Sequence, residues 1–261
     1  MDHDGKYKSQ ELSDDRFDFH KHRLVQVEKD IFAFKSGQPV RVIKYTNPKF
    51  NSLIRKTRLP SLEERLKYFA VTSVNKARVI LTGGWDENIM KESAKCFSFN
   101  LAEELWSIEE EPDLNKARSV HSSTALGFKA FAICGFDGDL NLHSIEMMDC
   151  GPKPPNVARS WQLIQSDMIS PRQAPAVSPL NETSIVVLGG WHNGHLSDVI
   201  ILNTVEGNAE RVLHTQADFG FQCRSTSMME EDGTVISLVA DQDEVLHFVR
   251  YIHRDNTLAI T

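Results

Sequence analysis

One segment of this chain is written several times over. Val79-Ile80-Leu81-Thr82-Gly83-Gly84-Trp85 returns as Ile185-Val186-Val187-Leu188-Gly189-Gly190-Trp191, with Phe131-Ala132-Ile133-Cys134-Gly135-Phe136 between them. A weaker copy, Val235-Ile236-Ser237-Leu238-Val239-Ala240, follows at the same interval of about fifty residues. A unit of that length cannot bury its own apolar face, so the copies must stack on one another in a row or a ring.

Inside each copy the apolar stretches have the length and composition of strands rather than helices. Tyr68-Phe69-Ala70-Val71, Ser122-Ser123-Thr124-Ala125-Leu126 and Ser225-Thr226-Ser227-Met228 precede the repeated segment. Cys96-Phe97-Ser98-Phe99, Ile145-Glu146-Met147-Met148 and Val199-Ile200-Ile201-Leu202 come after a polar turn, and Trp106 and Trp161 mark a further strand. Four strands per unit, a to d, repeating every 40 to 50 residues or so, are the pattern of β-propeller blades.

The double glycine ending strand b (Gly83-Gly84), the aromatic in strand c (Phe99) and the tryptophan opening strand d (Trp106) resemble the kelch repeat. The Cys134-Gly135 unit keeps Trp161 but carries an insertion around Gly151-Pro152-Lys153-Pro154-Pro155; the Gly189-Gly190 unit lacks the tryptophan, and the Val239-Ala240 unit keeps only the strand pattern. The expected fold is an all-β, kelch-like β-propeller of about five four-stranded blades. Kelch propellers usually have six or seven, so the ring is expected to be short, either incomplete or closed with help from a partner. The divisions are a flexible acidic tail at 1–15, a degenerate first blade at 16–46 read as strands b, c and d, a long basic loop at 47–64, and blades at about 65–112, 113–167, 168–214 and 215–261. A terminal strand at Asn256-Thr257-Leu258-Ala259-Ile260-Thr261 is a candidate for closing the ring.

Charge narrows the function. Lys+Arg 29 against Asp+Glu 36 gives a net charge of −7, which disfavours nucleic acid and anionic membranes as partners. No apolar run is long enough to span a bilayer, and the first thirty residues are too charged for a signal peptide, so a cytoplasmic protein is expected. Cys96, Cys134, Cys150 and Cys223 include no Cys-x-x-Cys pair, which argues against zinc and against a disulfide scaffold.

Just ahead of each strand a stands a cation: Arg65 (or Lys67, depending on the gap), Arg118, Arg172 and Arg224. Their period matches the repeat, so they are expected at the channel mouth, either tying blades together or binding a carboxylate-bearing partner. His121 lies beside them near the channel mouth, where a hydrogen-bonded residue of the repeat is favoured over a catalytic base, and it is counted with the partner-binding candidates. Trp85 and Trp191 follow the glycines, either packed between blades or exposed as anchors. The acidic tips Asp86, Glu87, Asp137, Asp139, Asp241, Asp243 and Glu244 surround them. His192 and His195 have no glutamate or helix to make a metal site, and Asp137-Gly138-Asp139-Leu140-Asn141 lacks calcium-loop spacing. No catalytic constellation, metal or cofactor is expected. The resemblance implies a non-catalytic scaffold binding other proteins within a larger cytoskeletal, ciliary or similar assembly; the alternatives are substrate recognition for a ubiquitin ligase and a propeller enzyme acting on a sugar.

Overall fold

The computed structural model describes residues 22–28, 30–46, 55–107, 111–154, 157–164, 169–206, 208–214, 222–223, 228–229, 234–240, 246–252 and 257–260. Every regular element among them is a β-strand. β1 (His22–Val27), β2 (Asp30–Lys35), β3 (Val40–Thr46) and β4 (Arg55–Leu62) pair in that order as a first antiparallel sheet. Then come β5 (Leu66–Lys67), β6 (Ala70–Val74), β7 (Arg78–Thr82), β8 (Trp85–Asp86), β9 (Lys91–Glu92), β10 (Cys96–Asn100) and β11 (Leu105–Trp106). Of these, β6, β7, β10 and β11 form the second sheet, and β5, β8 and β9 a small ribbon.

The third sheet is β12 (Ser122–Leu126), β13 (Lys129–Ile133), β14 (Ile145–Asp149) and β15 (Trp161–Ile164). The fourth is β16 (Ala176–Pro179), β17 (Ser184–Trp191), β18 (His195–Asn203) and β19 (Asn208–His214). In the fifth, short β20 (Gln222–Cys223) and β21 (Met228–Met229) both pair with β22 (Thr234–Ala240), which continues to β23 (Leu246–Ile252) and β24 (Thr257–Ile260). The first strands of neighbouring sheets adjoin, β1 against β6, β6 against β12, and β12 against β16. The arrangement is all-β, made of several small antiparallel sheets, and fits a propeller-like fold.

The first sheet corrects the sequence reading. His22–Val27, Asp30–Lys35 and Val40–Thr46 are its strands a, b and c rather than b, c and d, and Arg55–Leu62, assigned above to a basic loop, is strand d. The terminal strand is likewise the fourth strand of its own sheet, pairing Val249↔Ile260 through Ile252↔Thr257. The 1–15 tail lies outside the described residues.

Apolar alternation along the strands buries both faces of the middle sheets. Phe32, Phe34 and Val42 of the first sheet pack with Val71, Leu81 and Phe99 of the second. Ile80 and Cys96, on the other face, meet Ala130, Ala132 and Trp161 of the third, whose Phe131 and Ile133 meet Val177, Val187 and Ile200 of the fourth. Phe99 lies edge-on to Phe34 and Trp106, with centroids 5.9 and 5.3 Å apart, geometry that adds about 0.5 to 1.5 kcal/mol per pair beyond burial. The indoles of Trp106 and Trp161 donate to Pro60 O (3.1 Å) and Pro112 O (3.0 Å), each reaching back toward the preceding unit.

A recurring backbone latch joins the sheets. Gly84 N donates to Arg118 O (2.8 Å) and Gly135 N to Arg172 O (2.9 Å). In return, Val120 N donates to Tyr68 O (3.0 Å) and Ala174 N to Val120 O (2.8 Å). Tyr68, Val120 and Ala174 are left-handed corners (φ 53, 51 and 45), and Gly84, Gly135 and Gly190 have φ near 107. A Cβ on Gly135 would sit 2.7 Å from both Ser119 O and the His121 Cβ. Gly135→Ala is therefore expected to cost about 3 kcal/mol, from backbone strain and the clash together. Gly127→Ala, at an open turn with nothing within 4 Å, should cost only about 1 kcal/mol. Urea midpoints of the two variants check the difference.

Candidate functional site

The bridges Ser119↔Phe136 and Gln173↔Trp191, matched by Lys67↔Trp85 in the ribbon, set the units in common register. Arg118 and Arg172 occupy one equivalent position, and the residue of the second unit in that place is Leu66, which is fully buried. Arg65 therefore does not belong to the set: it is one residue out of phase and exposed. Arg224 lies outside the described residues.

Arg118 and Arg172 do not present their charges to solvent. Both are completely buried, and all five N–H donors of each guanidinium are engaged within the chain. Arg118 donates from Nε to Lys116 O, from Nη1 to Cys134 O (2.9 Å) and Ser144 O, and from Nη2 to Ser144 Oγ and Glu146 Oε1 (2.6 Å). Arg172 donates from Nε to Ser170 O, from Nη1 to Gly189 O (2.8 Å) and Asp198 Oδ1 (2.7 Å), and from Nη2 to Ser170 Oγ and Asp198 Oδ2 (3.0 Å). Glu146, also fully buried, accepts from Asn115 N and Nδ2 and from Lys116 N as well. The expectation that these two arginines hold a partner's carboxylate is thus corrected: the site is already filled by the protein's own acid. The signal for it was a lone acid inside the apolar run of strand c in Ile145-Glu146-Met147-Met148.

His121 is buried between the glycines of two sheets, its Nε2 2.8 Å from Thr82 Oγ1 and its Nδ1 without a partner. A Cβ on Gly83 would lie 3.0 Å from the ring. Burial first, and then the charges of Arg118 and Arg23, push its pKa well below the ordinary value. The ring is neutral and has no exposed edge for a partner.

The hairpins after the glycines meet at one end of the sheets. Trp85 and Trp191 are half-buried, neither sealed in the core nor fully exposed. Gly138 approaches the Glu92 carboxylate, Gln173 Nε2 donates to Asn141 Oδ1 (2.6 Å), and Asn141 Nδ2 lies 3.1 Å from His192 Nδ1. Three of the four acidic tips among the described residues have internal work, Asp241, Asp243 and Glu244 lying outside them: Asp86 caps Asn88 N, Glu87 pairs with Lys67 and Gln38, and Asp137 accepts from Asp139 N and Leu140 N and pairs with Lys116 at 2.6 Å. Burial would raise the Asp137 pKa, but the bonds from Leu140 N and Lys116 outweigh it and hold the group at about 2. Among the described residues no group of three His, Cys, Asp or Glu is placed to hold a metal ion.

What sequence reasoning missed is apolar. Ile89, Met90 and Leu140 protrude from these hairpin tips, at 61%, 65% and 63% exposure. Leu140 also lines a groove of ≈ 600 Å³ with Leu142, His143, Leu163, Pro171 and His192, within the range of ligand-binding clefts.

No protein-family model and no curated protein matches this chain. Among solved structures, one titled "Structure of YjhT" superposes with a TM-score of 0.72 over 92% of this chain and 83% of that chain, at 14% identity. The likeness is one of fold. It supports the all-β, propeller-like arrangement and says nothing of activity. Among the described residues no helix is long and apolar enough to cross a membrane.

Arg118→Leu strands a buried carboxylate and is expected to cost about 3 to 5 kcal/mol. Arg118→Leu/Glu146→Leu should be less destabilised than the sum of the single variants, as read from urea unfolding. Acid should also weaken the fold through His121. Because its folded pKa is depressed, the stability it contributes is present above about pH 6.5 and lost as pH falls below, by up to about 1.4 kcal/mol per pH unit. His121→Gln should flatten that part of the slope in melts between pH 7 and 5.

Proposed function

We propose that this protein is a non-catalytic interaction module, a kelch-type propeller with its five main sheets as blades, which docks a partner protein on the end where the glycine hairpins meet. The groove beside Leu140 carries this reading. Exposed leucines in the wall of a concavity are what an apolar side chain of a partner would cover, whereas single exposed apolar residues are ordinary on any surface. Exposed apolar residues also occur at the opposite turns, such as Phe128 and Val205, and provide the control.

The kelch assignment rests on the glycine pairs, on Trp106 and Trp161 tying strand d to the preceding unit, and on the arginine that fastens strand a. We place the protein within a larger cytoplasmic assembly as part of the same proposal; the fully internal pairing of Arg118 and Arg172 makes them scaffold and leaves the docking of this partner to the hairpins. Covering a leucine fully contributes about 2 kcal/mol, so Leu140→Asp/Leu163→Asp should weaken partner binding by more than tenfold, about 1.4 kcal/mol being a factor of ten. Partners recovered with the wild-type chain from cells and identified by mass spectrometry should be lost with this variant and kept with Phe128→Asp/Val205→Asp. Equal recovery by both would overturn the reading.

A further inference from the structure

Lys44, Lys67, Arg78, Lys95 and Lys116 each stand against an acid, and Arg118 and Arg172 are spent internally. Arg41 and Arg58, in the outer half of the first sheet, depart from this economy. In the pairing of β2 with β3, Lys35 lies directly opposite Arg41, and Arg58 on β4 lies opposite Ile43. Alternation puts these side chains, with Lys56, on the face turned away from Phe34 and Val42, and that face of β2, β3 and β4 carries no acid.

Like charges directly opposite one another destabilise a strand pair. Arg41 also faces a register irregularity, three residue steps of β4 from Leu59 to Leu62 standing against two of β3 from Val40 to Val42. Arg41 and Arg58 are exposed and have no hydrogen-bond or ion-pair partner among the described residues. Lys35, Arg41 and Arg58 converge, with Ile43, Leu59 and Ser61, on a pocket of ≈ 50 Å³, room for a single charged group rather than a whole ligand.

We propose that this basic corner of the first sheet holds the carboxylates of an acidic segment of a partner protein. Guanidinium forks match carboxylates in geometry, and the isoleucine and leucine beside them suit the methylenes of glutamate. A long polyanion is disfavoured, because the protein carries a net charge of −7 and the patch is confined to one sheet. The inference is independent of the hairpin groove, which lies on other sheets.

The test is fluorescence anisotropy with the full chain and a labelled oligoglutamate peptide, at low and high salt. The wild type should bind at low salt and lose affinity as salt rises. Arg41→Gln/Arg58→Gln should bind at least tenfold more weakly, with Arg65→Gln, an exposed arginine outside the patch, unchanged. If the double variant melts early, Arg58→Gln alone serves, with a loss of at least threefold expected. Absence of wild-type binding, undiminished binding by these variants, or tighter binding of an oligothymidylate of equal charge would overturn the proposal.

Discussion

Everything in this molecule depends on how closely the backbone of one sheet can approach the next. A Cβ at Gly83 would come 2.4 Å from Arg118 O, and at Gly84 2.7 Å from Lys67 O. Only bare backbone allows the Gly84 and Gly135 amides to reach the arginine carbonyls, and only then can the corner residues bond to one another from unit to unit. Apolar packing between the sheets follows from that spacing. Cys134 shows how strong the requirement is. It holds the left-handed φ of 58 that glycine holds in the neighbouring units, its carbonyl accepts from Arg118, and burial raises its thiol pKa to about 11.

The arginines serve the same approach from the side-chain direction. A fork with five donors can satisfy carbonyls left open at the end of strand b and the start of strand c, positions that water cannot reach once the sheets close. Its charge then requires an acid, and the two units solve this differently: Glu146 on strand c in one, Asp198 near the start of strand c in the other. In the second unit the arginine is replaced by Leu66, which is buried in the apolar cluster between the first and second sheets. A buried ion pair and a buried leucine are thus alternative fillings of one place, as expected where the desolvation of paired charges nearly offsets their attraction.

These details explain how far the sequence could be read. The glycine pairs fixed the phase of the middle units, and Ser122–Leu126 falls on β12 as written. The first unit has no such marker, so its strands were displaced by one. Its outermost strand was hidden by Arg55, Lys56, Arg58 and Pro60, residues that suit the edge of a sheet and read as loop. The periodic cations misled in a related way, since spacing alone cannot tell a guanidinium facing solvent from one facing a carboxylate folded against it. Arg65 fitted the period and not the phase. The apolar tips Ile89, Met90 and Leu140 carry no repeat at all, and only the hairpin geometry shows that they stand at one end.

The latch also has a direction. Each of these sheets is made from one contiguous stretch of chain, yet the sheet ending at β11 leaves the Tyr68 carbonyl and the Gly84 amide open until the corner at Arg118–Val120 arrives. That corner in turn offers the Val120 carbonyl, and Gly135 its amide, to residues 172–174. During synthesis a finished sheet therefore emerges with one acceptor and one donor waiting for the segment next to leave the ribosome, so assembly can proceed in the order of translation, each new unit sealing the one before it.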